Sequence, residues 1–260
     1  MSDPTPIQFI PPNGDEFYVG YLGVPRGQRR FLRLVVPAIL WAVLGAAALV
    51  ALTQPDPGPA VWDDATPRTF TGVLLARPYP MLYADDRGDG KPDFLLLVEM
   101  GKRGAQRATA FDSQRVSVSG WILRRDGRLM LEMEPGEDAL RAVPGAEAVP
   151  ELPQIRPLGR VTQRGEIVDA KCFLGAMKPG HGKTHKECAT LCISGGIPAM
   201  LVTRDAAGAP TYYLLMDPAG GPLDSAALPF IADPVEVSGE LESQRDLLRL
   251  RVRVEDIRRL

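Results

Sequence analysis

The sequence predicts a mostly β protein: one N-terminal transmembrane helix, then two tandem OB-like small β-barrel or sandwich repeats, the second carrying a Cys/His helical insertion. Three observations predict it. Leu34 to Leu52 reads LVVPAILWAVLGAAALVAL, nineteen residues without a charge. Beyond it, runs rich in Val, Leu and aromatic residues alternate with Gly, Pro and Asp turns, and no long amphipathic helix pattern intervenes. That second region also repeats itself.

With 260 residues, 45% hydrophobic and 24% charged, the chain has material for one or two packed domains and is not a disordered polymer. The formal net charge of -2 excludes the basic balance of a protein that wraps nucleic acid. Three Cys are too few for a disulfide-stapled scaffold, and the odd count leaves at least one thiol free, paired between chains or bound to something.

In chain order, residues 1–33 read as a cytoplasmic N-terminal segment and 34–52 as the transmembrane helix, close to the ~20 residues that cross a bilayer. Arg26, Arg29, Arg30 and Arg33 precede the apolar run, while TQPDPGPAVWDD after it carries acids and no base. The positive-inside bias therefore expects a single-pass protein of a bacterial inner membrane with its C-terminal domains in the periplasm. A cleaved signal peptide would need an n-region of 33 residues, and Arg29-Arg30-Phe31-Leu32-Arg33 lacks the spacer of a twin-arginine signal, so an uncleaved signal-anchor is the reading. Ala38, Ala42 and Ala46 recur at the small-xxx-small spacing that admits a partner helix from another membrane protein. Pro55, Pro57, Pro59 and Pro67 make residues 53–68 a semi-rigid spacer.

The repeats span 69–145 and 157–260. VSVSGWILRRDGRLML (116–131) parallels VEVSGELESQRDLLRL (235–250), GKPDFLLLVE (90–99) parallels GAPTYYLLMD (208–217), and FTGVLLAR (70–77) parallels QRGEIVDA (163–170). About five short strands per copy fit a small OB-like barrel or sandwich. The alternation of Leu248, Leu250, Val252 and Val254 with Arg249, Arg251 and Arg253 predicts a strand with one buried and one solvated basic face. The offset rises from 93 (Gly72 to Gly165) to 118 (Pro92 to Pro210), so copy two holds 118 minus 93, or 25, extra residues. They place an insertion at 172–196 that contains every Cys and His of the chain. Copy one closes without it, so the segment is expected to be an addition rather than core.

Within the insertion, Thr184 and Glu187 predict a capping box and Gly195-Gly196 a helix end. His185, Cys188 and Cys192 then share one helical face, at i, i+3 and i+7. With Cys172 they form a three-thiolate, one-imidazole set suited to a soft or borderline metal ion, zinc or copper, with His181 as substitute ligand. The alternative is a disulfide from Cys172 to Cys188 or Cys192 that pins a docking loop. C-x-x-C and C-x-x-C-H are absent, which removes thioredoxin-like exchange and covalent haem attachment. A Cys/His nucleophile with Asp169 as orienter lacks a second acid cluster, so no catalytic residue is assigned and the protein reads as a non-enzyme.

GEIVDAKCFLGAMKPG followed by HKECATLCISGGIPA resembles a segment of uncharacterised bacterial membrane-anchored proteins. The resemblance brings no activity, but implies that Cys172, His185, Cys188 and Cys192 act as one unit. Two functions follow: a membrane-anchored periplasmic accessory or subunit protein whose Cys/His loop holds a metal for an electron-transfer or metal-handling complex, or a metal-free protein-interaction module.

Overall fold

A computed structural model describes residues 24, 26–54, 58–85, 91–144 and 152–260. It divides into two units, residues 1–56 and 57–260. The first contains helix α1 (Arg26–Thr53), in which Gln28–Thr53 is long and apolar enough to cross a membrane. At 1.5 Å per residue these 26 residues span about 39 Å, more than a hydrocarbon core of about 30 Å. The helix extends past the expected 34–52 at both ends and takes up Arg29, Arg30 and Arg33 near its start. Ala38, Ala42 and Ala46 are exposed along it.

The second unit is two five-stranded barrels. In the first, β1 (Val61–Leu75), β2 (Met81–Ala84), β3 (Asp93–Glu99), β5 (Arg115–Arg125) and β6 (Arg128–Met133) close in the order β1-β2-β3-β6-β5-β1. Every pairing in that circuit is antiparallel except β3 with β6. The short β4 (Arg103–Gly104) and β7 (Leu140–Ala142) add to β3 and β5. In the second barrel, β8 (Ile155–Asp169), β9 (Ala199–Arg204), β10 (Pro210–Met216), β11 (Pro234–Gln244) and β12 (Leu247–Arg251) close as β8-β9-β10-β12-β11-β8, with β10 and β12 parallel and β13 (Ile257–Arg259) on β11. This is one OB-like topology formed twice.

The glycines that flagged the repeat show why it is maintained. A Cβ at Gly72 would lie 2.2 Å from the Tyr83 carbonyl oxygen, and one at Gly165 would lie 2.2 Å from that of Val202. Gly120 and Gly239 meet the carbonyls of Glu132 and Arg251 at 2.1 and 2.3 Å. Each pair occupies the same place in its barrel, where two strands approach too closely for any side chain.

Three sequence expectations change. Residues 61–68 are not spacer: Val61, Trp62 and Asp63 pair with Arg124, Leu123 and Ile122 of β5, ahead of an irregularity between Asp63 and Arg68. The basic face of β12 is only partly solvated: Arg249 is buried 2.9 Å from Glu242, which also meets the half-buried Arg251 at 3.1 Å, while Arg253 just beyond the strand is exposed. An alternating pattern reports which face a residue is on, and here the opposite face is covered at Arg249.

The third change concerns the insertion, which lies between β8 and β9 and is core. Cys172, Phe173, Leu174 and Cys192, with Ile197 just after the insertion, share one apolar cluster with Tyr83, Phe94 and Leu123 of the first barrel and Met200, Tyr212 and Leu214 of the second. Each barrel also has its own interior cluster. Copy one closes without such a segment because the segment of copy two covers it. Polar groups lock the seam. Lys171 is buried, with Nζ 3.2 Å from Glu132 Oε2 and donating to the carbonyls of Glu99 and Gly101 at 2.9 and 2.7 Å. The Arg125 guanidinium lies 4.1 Å from the Phe173 ring centroid and donates to the Phe173 carbonyl at 3.0 Å. Tyr79 accepts from the Leu223 N–H at 2.9 Å, and burial pushes its phenol up to about 12.

Removing one partner of a buried pair leaves an uncompensated charge, whereas an apolar replacement of both need not. Lys171→Met is therefore expected to cost about 3 kcal/mol in denaturant unfolding. Lys171→Met with Glu132→Leu should recover most of that loss. Equal destabilisation by the single and double variants would show that the pair does not hold the seam.

Candidate metal centre

The site begins where β8 ends. Asp169 is fully buried, and its Oδ1 accepts the Cys172 N–H at 2.8 Å, turning the chain into a single π-type turn at Cys172–Ala176. The loop then folds back over this turn. Gly180, at φ +69°, passes so close that a Cβ there would lie 2.5 Å from the Cys172 carbonyl oxygen, so the position demands glycine. A 3-10 turn at Lys183–His185 leads into helix α2 (Lys186–Ser194), which ends at Gly195 with Gly196 at φ +92°.

The expected capping box does not form. The helix starts one residue later than Thr184 would cap it, with His185 at the cap position and no side-chain capping bond. His185 is held elsewhere: its Nε2 donates to Asp169 Oδ2 at 3.0 Å, and that bond draws the preceding residues into the tighter turn. Of the loop lysines, Lys186 is committed to Asp233 at 2.6 Å.

The four residues expected as ligands fall into two overlapping groups that share Cys172, not into one. The ligand atoms of Cys172, His185 and Cys188 lie within 4.8 Å of one another, and those of Asp169, Cys172 and Cys192 do likewise. A tetrahedral ion with bonds of about 2.3 Å to sulfur needs edges of about 3.8 Å, so the side chains would have to draw closer around it. Cys172, Cys192 and His185 are buried and Cys188 half-buried, and all three cysteines are free, with no disulfide among them. His181 lies outside both groups, its ring edge-on to Phe173 at 6.1 Å, and burial holds its pKa below the usual imidazole value.

Two participants were not legible as such. The sequence offers Asp169 only as an orienter for a nucleophile, yet its Oδ2 lies 3.0 Å from His185 Nε2, a contact of the kind that orients a metal-binding imidazole. Lys102 comes from the first barrel. Its Nζ reaches Cys188 Sγ at 2.7 Å and Cys192 Sγ at 3.7 Å, and the bond to Cys188 raises the lysine pKa. Nothing in the local sequence marks it, because the contact arises only when the barrels pack.

The thiols are differentiated. A hydrogen bond from Cys172 lowers the Cys192 thiol to about 7, assisted by the Lys102 charge, and the same bond with burial drives Cys172 far above the ordinary thiol range. Cys192 is thus the first thiolate and Cys172 its donor, the opposite of an activated Cys172 nucleophile. No protein-family model, curated protein or solved structure matches the chain.

A depressed pKa means the thiolate is present above the folded-state value and is lost as pH falls through it. Ultraviolet titration of metal-free protein should therefore show a thiolate appearing below the ordinary thiol range. Lys102→Ala should move that step upward. An unchanged step would remove Lys102 from the electrostatics of the site.

Proposed function

We propose that this chain is a membrane-anchored accessory or subunit protein whose paired barrels stand in the bacterial periplasm. It holds one thiophilic metal ion at the barrel seam for an electron-transfer or metal-handling complex. The observation that carries the reading is the pair of overlapping groups, Cys172 with His185 and Cys188 and Cys172 with Asp169 and Cys192, with Asp169 Oδ2 against the imidazole. Cys172, Cys188 and Cys192 would supply sulfur and His185 nitrogen. Four protein donors leave no open coordination position, which favours a holding role over catalysis. The apolar helix α1 supports membrane association. The Arg cluster before Leu34 supports the inward N-terminus, and the Ala38, Ala42 and Ala46 stripe supports a partner helix in the membrane.

Full-length protein purified in detergent under reducing conditions should bind about one equivalent of zinc, or of cobalt as a spectroscopic substitute with thiolate charge-transfer bands. Proton release should accompany binding, because thiolate ligation requires deprotonated sulfur. Cys172→Ser, Cys188→Ser, Cys192→Ser and His185→Ala should each abolish tight binding, and Asp169→Asn should weaken it roughly 10- to 100-fold. His181→Ala should have little effect. Protein that binds no metal, and instead yields a peptide linking Cys172 to Cys188 or Cys192, would establish the disulfide-pinned interaction module in its place.

A further inference from the structure

The contact between Lys102 and Cys188 has a geometry that metal binding does not require. Lys102 Nζ stands 3.7 Å from Cys192 Sγ, an ordinary hydrogen bond to sulfur, but only 2.7 Å from Cys188 Sγ. The shorter value is normal for nitrogen and oxygen. Sulfur is a larger atom, so this nitrogen and sulfur stand inside their contact distance. It is the separation that a single oxygen atom bridges between the two.

The approach is imposed by the backbone rather than by a long side chain that happens to reach. Gly104 N–H donates to the Gly195 carbonyl at 2.9 Å, and a Cβ on Gly195 would lie 1.9 Å from the Lys102 carbonyl oxygen. The turn that bears Lys102 is therefore fixed against the C-terminal end of α2, the helix whose first turn bears Cys188. Access differs among the thiols as well. Lys102 is exposed and Cys188 half-buried, whereas Cys172 and Cys192 are buried, so a small oxidant meets this pair first.

We propose that Lys102 and Cys188 form a reversible cross-link through one oxygen atom, N–O–S, which serves as a redox lock on the site. The inference does not depend on the metal reading, since it uses only this pair. With dioxygen as oxidant, the amine gives up one N–H hydrogen and the thiol its S–H hydrogen. One oxygen atom enters to form the N–O and O–S bonds, and the other leaves as water with both hydrogens. Nitrogen and sulfur each lose two electrons, and dioxygen takes up all four. Excess dithiol reverses the step by delivering four electrons and four protons, which releases amine, thiol and water. Closure occupies the Cys188 sulfur, so it is no longer a metal ligand, and ties the first barrel covalently to the insertion of the second.

The test is intact-mass measurement and peptide mapping of full-length, detergent-purified, chelator-treated protein after exposure to oxygenated buffer. The expected product is heavier by one oxygen less two hydrogens, joins the Lys102 peptide to the Cys188 peptide, and returns to the starting mass in dithiothreitol. Lys102→Arg and Cys188→Ser should lack it and Cys192→Ser should retain it. Should a variant fail to fold, the peptide map of the unmutated chain decides alone. An unchanged mass, a loss of two hydrogens only, or oxygen additions confined to cysteine without a lysine linkage would overturn the proposal. Any of these would leave zinc binding as a separate question.

Discussion

A carboxylate with no exposure to solvent must find partners for its charge within the fold, and the seam of this protein is arranged around the one at Asp169. One oxygen takes the N–H of Cys172 and so bends the chain out of β8, while the other takes Nε2 of His185 and so brings the far end of the loop back. The two bonds reach thirteen residues apart along the insertion, from 172 to 185, and convert a Gly- and Pro-containing excursion into a closed loop. Without Asp169 neither Cys172 nor His185 has a fixed position, and the helix that carries Cys188 and Cys192 has no defined start. Lys171, next but one in sequence, performs the corresponding task for packing by linking the same strand end to Glu132 and two carbonyls of the first barrel. Site and interface are therefore set by one short segment of chain.

The fold was readable from sequence because its determinants are local or periodic. About five short strands per copy are expected and five close each barrel, since alternation and turn residues act over a few positions. The paired glycines carried the repeat because steric exclusion by a neighbouring carbonyl admits no substitute side chain. The ligand set was readable for a different reason. His and Cys are so rare in this chain that their concentration in one insertion was itself informative.

What escaped depends on tertiary contact. The strand start at Val61 is concealed by the prolines around it, and only its pairing with β5 identifies it. Thr184 and Glu187 satisfy the pattern of a capping box, but local propensity yields to the stronger demand of Asp169 for His185. Arg249 looked solvated because a period-two pattern cannot reveal that Glu242 waits on the neighbouring strand. The insertion looked dispensable because its absence from copy one was taken to mean that copy one does not need it. In the packed pair copy one does need it, as the surface that covers Tyr83, Phe94 and Leu123.

That packing explains why the unmodified copy is more than a stalk for the modified one. In the proposed metal-bound state three thiolates would bring three negative charges to a mostly buried place, with the Asp169 carboxylate alongside, and a divalent ion would offset only two of them. Low-dielectric surroundings make such an excess costly. Two nearby bases are engaged elsewhere: Lys171, just before the insertion, faces Glu132, and Lys186 within it faces Asp233. The cation that reaches the sulfurs is Lys102, held there by the backbone contact of Gly104 with Gly195 and donated by the barrel that contains no cysteine or histidine. A single barrel with this insertion would present the thiols and the imidazole without that counter-charge. The duplicated barrel thus serves the chemistry of its partner, and the site is a property of the pair rather than of the segment that carries the ligands.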